Sequence, residues 1–526
     1  MGLAYFWIFF VLLALGTPVV FALLLGPGLS LVIDGKDQIF FSKLLSTIYS
    51  GMFSFPIMAV PFFILAGELM NSSGITRSIV KFSESMIGHY RGGLAQVNIL
   101  SSIMFAGLSG SAVADTSALG KMLIPAMVEN GYKRDFAAAV TAASSVIGPI
   151  IPPSGIMILY AFVMNVSVAG LFLAGFVPGL MVGLGLMLLT GYFARVRNFA
   201  VAGEKAPWSK RSSAFLKTFP ALMTPVLLLG GILSGIYTPT EAAAIAAVYA
   251  LFASMLIRLD IWKRFIADTQ HAYLHIGPLT LFLFMGFFGA FDFQAYILVS
   301  LGWVVIAEVA WRLFSRKTSR QATVSDKIGL SRDVLLAFGQ TTGQIPGVLR
   351  NTAIQSGVIL LLVGAAVTFG WIVTVSGLAR QATGFILFIT DNPLLILLLI
   401  NILLFVVGMF LDAGPAILIL GPVLAPIMIS IGIDPLHFAI VMCVNVTVGL
   451  ATPPMGLVLF VAASVSGEKL ESIVKEIWPF LLVEFAVIFL ITYFPSLTMT
   501  LPAMFGFGKC PDSATVCQAI LALTGG

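Results

Sequence analysis

The chain has 526 residues, of which 59% are apolar and only 10% charged, and its mean hydropathy is +1.05. This composition leaves too little polar surface to solvate a globule of this size, so we predict an all-α polytopic protein embedded in the lipid bilayer. The net charge of +5 lies in short basic clusters between apolar runs, as in the cytoplasmic loops of membrane proteins, and we expect no nucleic-acid partner.

The amino-terminal apolar run, from about Tyr5 to Leu25, is long enough to cross a bilayer and predicts one retained spanning helix. An amphipathic stretch from about Ile39 to Tyr49 is typical of an interfacial helix, and a spanning run follows from about Met52 to Asn71. The next basic residues indicate cytoplasmic segments; they are Arg77, Lys81, Arg91, Lys133 and Arg134.

The residues between these basic flanks, Gly92 to Gly131, must leave the cytoplasm and return to it. They are divided by a Gly- and Ser-rich turn at Gly107 to Ser111. Two short spans fit this length, but we favour a re-entrant hairpin, because a tip carrying Ser, Gly and Asp115 is costly in lipid. The following helix, about Arg134 to Val163, contains Gly148, Pro149, Pro152 and Pro153 and should be unwound at mid-depth.

The whole chain divides into seven predicted parts. These are first-repeat scaffold helices with an interfacial arm (1–91), a first-repeat hairpin and broken helix (92–163), scaffold helices (164–258), an extra helical hairpin with a basic loop (259–332), a second-repeat arm and scaffold helix (333–384), a second-repeat hairpin and broken helix (385–465), and a last helix with a periplasmic tail (466–526). We assign the two hairpins and two broken helices to a transport domain.

An internal duplication supports this division. Residues 107–155 align without a gap with residues 408–456 at an offset of 301; 14 of the 49 positions are identical, and eight of these are Gly or Pro. Cations flank the first copy, whereas no Lys or Arg lies between Arg380 and Lys469 around the second. The sequence therefore predicts an inverted-topology repeat with two re-entrant hairpins and two discontinuous helices.

Two helices that are each interrupted, at matching positions of the two copies, leave backbone groups without hydrogen-bond partners in lipid. Transporters use the amino ends of the resulting half-helices to bind anions. They use the carbonyl groups freed at the break, together with Ser, Thr or Asn oxygens, to bind Na⁺. The alternative is that the prolines only kink packed helices. Likewise, Asp115 and Asp412 either contact a cation or solute or cap helices. The candidate side chains are Ser109, Ser111, Asp115 and Ser144 in the first copy and Asp412, Asn445, Thr447 and Thr452 in the second.

Five blocks in order resemble the large membrane subunit of tripartite ATP-independent periplasmic (TRAP) transporters. They are SGSAVADTSALG from Ser109, IPPSGIMILY from Ile151, GIYTPTEAAA from Gly235, GMFLDAGPAILILGPVLAP from Gly408 and NVTVGLATPPMGLVLF from Asn445. The resemblance implies a secondary transporter, not an enzyme, that takes up a small organic anion such as a dicarboxylate with sodium, by an elevator-type mechanism. It also implies a small TRAP membrane subunit, a periplasmic substrate-binding protein and a multi-pass location in the bacterial inner membrane.

The resemblance also implies particular site residues, with Na⁺ as the coupling ion. One sodium site would involve Ser109, Ser111, Gly148, Ile151 and Pro153, and the other Gly408, Gly449, Thr452 and Met455. The anion would lie between the hairpin tips, near Ser109, Gly110, Asp115, Ser144, Asp412 and Asn445.

Other readings remain open at this point. An autonomous anion exchanger or exporter would use the same repeat, a membrane enzyme would need acids or metal ligands converging at mid-depth, and a channel would need a continuous pore. The segment Leu259 to Arg332 lies outside the pattern that carries the resemblance. A disulfide between Cys510 and Cys517 is a further hypothesis, because that tail is expected in an oxidising compartment.

Overall fold

Helices form the regular structure throughout the part of the chain that the computed structural model describes. That part comprises residues 4–33, 35, 38–199, 205–258, 324–378, 381, 384, 390 and 392–508, with side chains not described at 38–39, 255–258 and 324–342. Residues 259–323, which make up most of the expected hairpin over 259–332, lie outside the described residues. Cys510 and Cys517 also lie outside them.

The amino-terminal third contains the first hairpin and the first broken helix. Its helices are α1 (Ala4–Ala14), α2 (Val19–Ile33), α3 (Gln38–Met52), a 3₁₀ turn (Pro56–Met58), α4 (Ala59–Ser72), α5 (Ile75–Ile87), α6 (Gly93–Ser109), α7 (Ala112–Glu129), α8 (Arg134–Ser145), α9 (Ile147–Ile150) and α10 (Gly155–Met164). We call α6 with α7 the first hairpin and α8 to α10 the first broken helix.

The remaining described helices include the second set of the same elements. They are α11 (Val168–Val196), α12 (Trp208–Leu233), α13 (Pro239–Arg258), α14 (Val324–Ser376), α15 (Pro393–Phe410), α16 (Ala413–Ser430), α17 (Pro435–Gly449), α18 (Leu457–Ser466), α19 (Leu470–Tyr493) and α20 (Ser496–Met504). We call α15 with α16 the second hairpin and α17 with α18 the second broken helix.

Five helices of the described chain are long and apolar enough to cross a membrane, and up to eight spans result if each bent helix pair counts as one. The halves of the first broken helix are inclined by 41°. This bend follows from the sequence, because Pro152 and Pro153 have no N–H to continue the helical hydrogen bonds. Helices of this number, length and hydropathy are those of a multi-pass membrane protein.

The amino-terminal prediction of a single helix was wrong. The run forms two helices, α1 and α2, which pack against each other, so that Gly26 lies beside Tyr5 and Phe9. Gly16 adopts a left-handed conformation (φ +81°) and Pro18 follows it. These two residues end α1, because glycine takes this conformation without strain and proline cannot continue a helix.

The second-repeat arm also differs from its prediction. An arm and a separate scaffold helix were expected within 333–384, whereas α14 (Val324–Ser376) runs through most of this segment as one helix. In the first repeat, by contrast, the arm and the span are inclined by 49° at the break before the 3₁₀ turn. Pro346 lies inside α14 without ending it, and only the first repeat has Phe-Pro at the corresponding junction, at Phe55 and Pro56.

In each copy, the helix that follows the break packs against the hairpin of the other copy. The helix after the second break, α18, packs against α7 of the first hairpin, and α10 packs against α16 of the second hairpin. A methyl group on Gly120 would lie 3.3 Å from Val465, and one on its counterpart Gly421 would lie 3.5 Å from Met164. Since Val465 is itself the counterpart of Met164 at an offset of 301, the two contacts join equivalent positions of the two copies.

Candidate ion and solute site

The tip of the first hairpin rests on the first break. Gly110 ends α6 in a left-handed conformation (φ +60°), and Ser111 caps α7 by accepting a hydrogen bond from Ala114 N–H at 3.4 Å. A methyl group on Gly110 would lie 3.1 Å from the Pro153 carbonyl oxygen. Only a residue without a side chain can therefore bring the tip backbone so close to the unwound segment.

Asp115 lies in the first turn of α7 and is fully buried. The Ser109 hydroxyl donates to its Oδ1, and Ser109 Oγ also accepts a hydrogen bond from Ser111 N–H at 3.2 Å. Within the described residues Oδ2 has no hydrogen-bond partner. A methyl group on Gly148 would clash with this oxygen, so Oδ2 faces the backbone of the first broken helix. Asp115 is thus not the helix cap; Ser111 has that role.

The first break supplies further oxygen atoms. The residues four positions after Gly148 and Pro149 are Pro152 and Pro153, which have no N–H, so these two carbonyls cannot receive the usual helical hydrogen bond. Ile151 is extended (ψ 130°) and its N–H still bonds to Ile147. The structure thus brings Ser109, Ser111, Gly148, Ile151 and Pro153 to one junction between hairpin and break. A hard monovalent cation binds oxygen donors of this kind.

The second hairpin meets the second break in the same way. The Cα of Gly408 lies against Gly449, since a methyl group on Gly449 would be 2.6 Å from it. Gly456 N–H donates to the Met409 carbonyl at 3.1 Å, which fixes the hairpin end to the far side of the break. The peptide bonds before Pro153 and Pro454 are both cis. Tip and break are therefore in backbone contact in both copies.

The other predicted residues of the second site differ in exposure. Thr452 is fully buried, and its hydroxyl donates to the Val448 carbonyl at 2.9 Å. Met455 is 50% exposed. Asp412 is exposed and caps α16, since its Oδ1 accepts from Ala413 N–H at 2.8 Å. Of the two roles left open for Asp412, the cap is the one that the structure shows.

Ser144 and Asn445 occupy equivalent positions in the two copies. Each is buried and lies in the helix that precedes the break, α8 or α17. Ser102 and Ser144 share a hydrogen bond of 2.9 Å between their hydroxyls, and Asn445 Nδ2 donates to Asn401 Oδ1 at 2.7 Å. Each pair joins the broken helix to the first arm of its own hairpin. The sequence reasoning did not single out Ser102 or Asn401; Asn401 is a lone amide in the apolar run of α15, which was the available signal.

Comparison with known proteins places most of the chain in one family. The family model described as "Tripartite ATP-independent periplasmic transporter, DctM component" matches residues 6–290 and 322–497. The family model therefore matches residues 259–290, which lie in the segment that we placed outside the resemblance. Within the expected insert, residues 291–321 are not matched.

Individual relatives are similar over almost their full length. The sialic acid TRAP transporter large permease protein SiaM of Vibrio cholerae is 33% identical over 95% of this chain and 98% of its own. The 2,3-diketo-L-gulonate large permease YiaN of Escherichia coli is 32% identical over 92% and 95%. The C4-dicarboxylate large permease DctM of Rhodobacter capsulatus is 30% identical over 87% and 89%.

Among solved structures, the Alcanivorax borkumensis YdaH transporter covers 90% of this chain and 89% of its own, with a TM-score of 0.43 and 16% identity. The family match and the sequence relatives decide the assignment. The chain belongs to the DctM family of tripartite ATP-independent periplasmic transporters, whose members are permease subunits and not enzymes.

Proposed function

We propose that this chain carries a small organic anion, a carboxylate, across the bacterial inner membrane together with Na⁺. A periplasmic binding protein delivers the anion, and a small TRAP membrane subunit completes the complex. The observation that carries the proposal is the matched pair of backbone junctions, where each hairpin tip rests on the break of its own copy. Such junctions place unpaired oxygens and helix ends together within the membrane.

The first junction is the stronger candidate for a sodium site. Asp115 supplies a buried carboxyl group, whose Oδ2 has no hydrogen-bond partner in the described part of the chain. The Gly148 backbone lies next to that oxygen. A buried carboxylate oxygen without a donor is costly, and a bound cation would remove this cost. Ser109, Ser111, Ile151 and Pro153 add hydroxyl and carbonyl oxygens.

The second junction offers backbone oxygens around Gly408, Gly449, Thr452 and Met455. The Thr452 hydroxyl donates its proton to Val448, so the lone pairs of its oxygen remain free to face a cation. None of the described residues named at this junction is a buried carboxylate, so the site depends on carbonyl dipoles. We therefore expect it to bind sodium more weakly than the first junction.

The anion would lie between the hairpin tips, where α7 and α16 begin. Helix amino ends attract negative charge, and Ser109, Gly110 and Ser111 at the first tip are only half-buried. The named solutes of the three relatives, sialic acid, 2,3-diketo-L-gulonate and C4-dicarboxylates, all carry a carboxylate. Asp115, Asp412 and the buried Ser144 and Asn445 would shape this region rather than pair with the anion's charge.

The reciprocal packing supports an elevator-type movement. Because α18 lies on the first hairpin and α10 on the second, the hairpins and broken helices form one interlocked unit. A second group, in which α4 packs against α13 and α14, would form the stationary scaffold. The two copies would have opposite orientations in the membrane, which agrees with the basic flanks of the first copy and their absence around the second.

The test is sodium-driven uptake by liposomes containing this chain and its small subunit, with the binding protein outside. Asp115→Asn should raise the half-saturating sodium concentration, because a contact with a charged group is worth about 1.5–3 kcal/mol, or about 10- to 150-fold. Glu129→Gln, at the exposed end of the same helix, is the matched control. Uptake that is indifferent to sodium in the unaltered protein, or full uptake without the binding protein, would refute the proposal.

A further inference from the structure

Glu484 is a carboxylate in the middle of α19 that has no role in the site described above. It is fully buried, and neither carboxylate oxygen has a hydrogen-bond partner among the residues with described side chains. Its neighbours on the buried face of α19, one turn to either side, are Phe480, Leu481, Val487 and Ile488. An ionised carboxylate would be neither solvated nor paired in such a position.

The repeat locates Glu484 relative to the second break. At an offset of 301 it corresponds to Gly183 of α11. A methyl group on Gly183 would lie 2.5 Å from Ile103 on the first hairpin and 3.6 Å from Ile147 on the first broken helix. The counterparts of these residues are Leu404 and Val448, both fully buried.

A contact within the second copy gives the same location. The Phe405 and Phe485 rings are 4.6 Å apart, which brings α15 and α19 together beside Glu484. In the first copy Ile147 faces α11 whereas the next residue, Gly148, faces Asp115. We therefore infer that Glu484 lies behind the second break: it faces the second broken helix near Val448, on a different side of that helix from the ion junction.

No described cation is paired with Glu484. The helices that pack against α19 are α8, α11, α17, α18 and α20, and α15 contacts it through the phenylalanine pair. The titratable or charged side chains of these helices are Arg134, Asp135, Tyr192, Arg195, His437 and Cys443.

These groups lie mostly at the helix ends. Arg134 and Asp135 begin α8 beside Phe136, whose ring is 5.9 Å from that of Phe480, one turn before Glu484. Arg195 lies in the last turn of α11. His437 faces the opposite end of α19, since its Nε2 lies 3.3 Å from the Thr492 carbonyl. Cys443 is a buried thiol and brings no positive charge.

We propose that Glu484 is a proton-binding site, loaded in this conformation and unloaded when sodium occupies the second junction. Unloading requires that sodium binding change the packing around α19 so that water reaches the carboxyl group; its O–H bond then breaks, the proton passes to that water as hydronium, and a carboxylate remains behind the break. That negative charge favours a nearby cation, and by reciprocity the cation favours loss of the proton. This inference rests on the proposed sodium coupling.

The experiment measures proton release by the purified complex in lightly buffered detergent, with a pH-sensitive dye, when sodium chloride is added in place of choline chloride. We expect release from the unaltered protein and its loss in Glu484→Gln, which has the shape of the protonated acid. The half-saturating sodium concentration should fall about fivefold or more from acidic to alkaline pH, and stay constant in the variant. Glu471→Gln, exposed on the first turn of the same helix, is the control.

The outcomes separate the two proposals. Sodium-driven uptake without sodium-linked proton release overturns the role of Glu484 and leaves the proposed function intact, whereas uptake independent of sodium overturns both. Proton release that persists in Glu484→Gln also overturns the assignment. If that variant does not fold, the carboxylic C=O infrared band of the unaltered protein decides: we expect sodium to abolish it, and a band unaffected by sodium would refute the proposal.

Discussion

Replacing Gly449 by Ala should separate the second hairpin from the second broken helix. The added methyl group would lie 2.6 Å from both Cα and C of Gly408 and 3.1 Å from its carbonyl oxygen. Non-bonded carbon atoms rest at about 3.5–4.0 Å, so the two segments must move apart by roughly 1 Å. Both partners are backbone, and therefore no side-chain rotation can relieve the contact.

The size of the effect follows from the cost of overpacking. Extra methyl groups in a packed core cost about 1–3 kcal/mol. If this strain falls on the conformation in which tip and break together hold sodium, the half-saturating sodium concentration rises about 5- to 150-fold. Maximal uptake at saturating sodium should change less, because the hairpin tip and the break remain in place once the ion is bound.

The assay is a sodium titration of solute uptake in liposomes containing the complete complex. Gly414→Ala is the matched control on the same hairpin, since its methyl group would meet nothing closer than Leu159 Cδ1 at 3.8 Å. Gly408→Ala should reproduce the effect, and the double variant with Gly449→Ala should deviate from additivity because both changes strain one contact. A Gly449→Ala curve that overlies that of Gly414→Ala would refute the reasoning.

Two further predictions concern polar contacts away from the junctions. Asn445→Leu leaves Asn401 Oδ1 buried without its donor, while Asn401 Nδ2 keeps its bond to Thr492, and should lower the free energy of unfolding by about 1–3 kcal/mol. Asn401→Leu breaks the same bond although Asn445 Nδ2 still donates to Val441, and the double variant should lose less than the sum of the two in thermal unfolding. Glu476→Gln removes a half-exposed 2.7 Å ion pair with Arg197 and should cost at most about 1 kcal/mol. Arg197→Ala should cost more, because the guanidinium also lies over two phenylalanine rings; equal losses would contradict this ranking.

The parts of the fold that depend on chain breakers could be predicted from the sequence. Pro152 and Pro153 remove backbone donors wherever they lie, and their repetition as Pro453 and Pro454 located both breaks. Gly16 and Pro18 divide the amino-terminal run by the same local rule, although the length of that apolar run suggests a single span. The continuity of α14 is different, since the only local signal that distinguishes a straight arm from a bent one there is the absence of the Phe-Pro found at Phe55 and Pro56 in the first repeat.

The contacts between elements could not be predicted in the same way. Asn401 and Glu484 are single polar residues in apolar runs, and one residue has no periodicity that would indicate what it faces. Gly408 and Gly449 stood out as a shared pattern, yet only the structure shows that they touch each other. Sequence spacing indicates where a helix ends; which neighbour that end meets depends on tertiary packing.

The reciprocal contacts of Gly120 with Val465 and of Gly421 with Met164 bear on the origin of the chain. An ancestor with a single copy would have had both a hairpin groove and a post-break helix, but could not have covered its own groove. It would have buried both surfaces only as a homodimer. Fusion of two such copies would make that pairing obligatory within one polypeptide and would let equivalent positions diverge, as Glu484 in one half and Gly183 in the other have done.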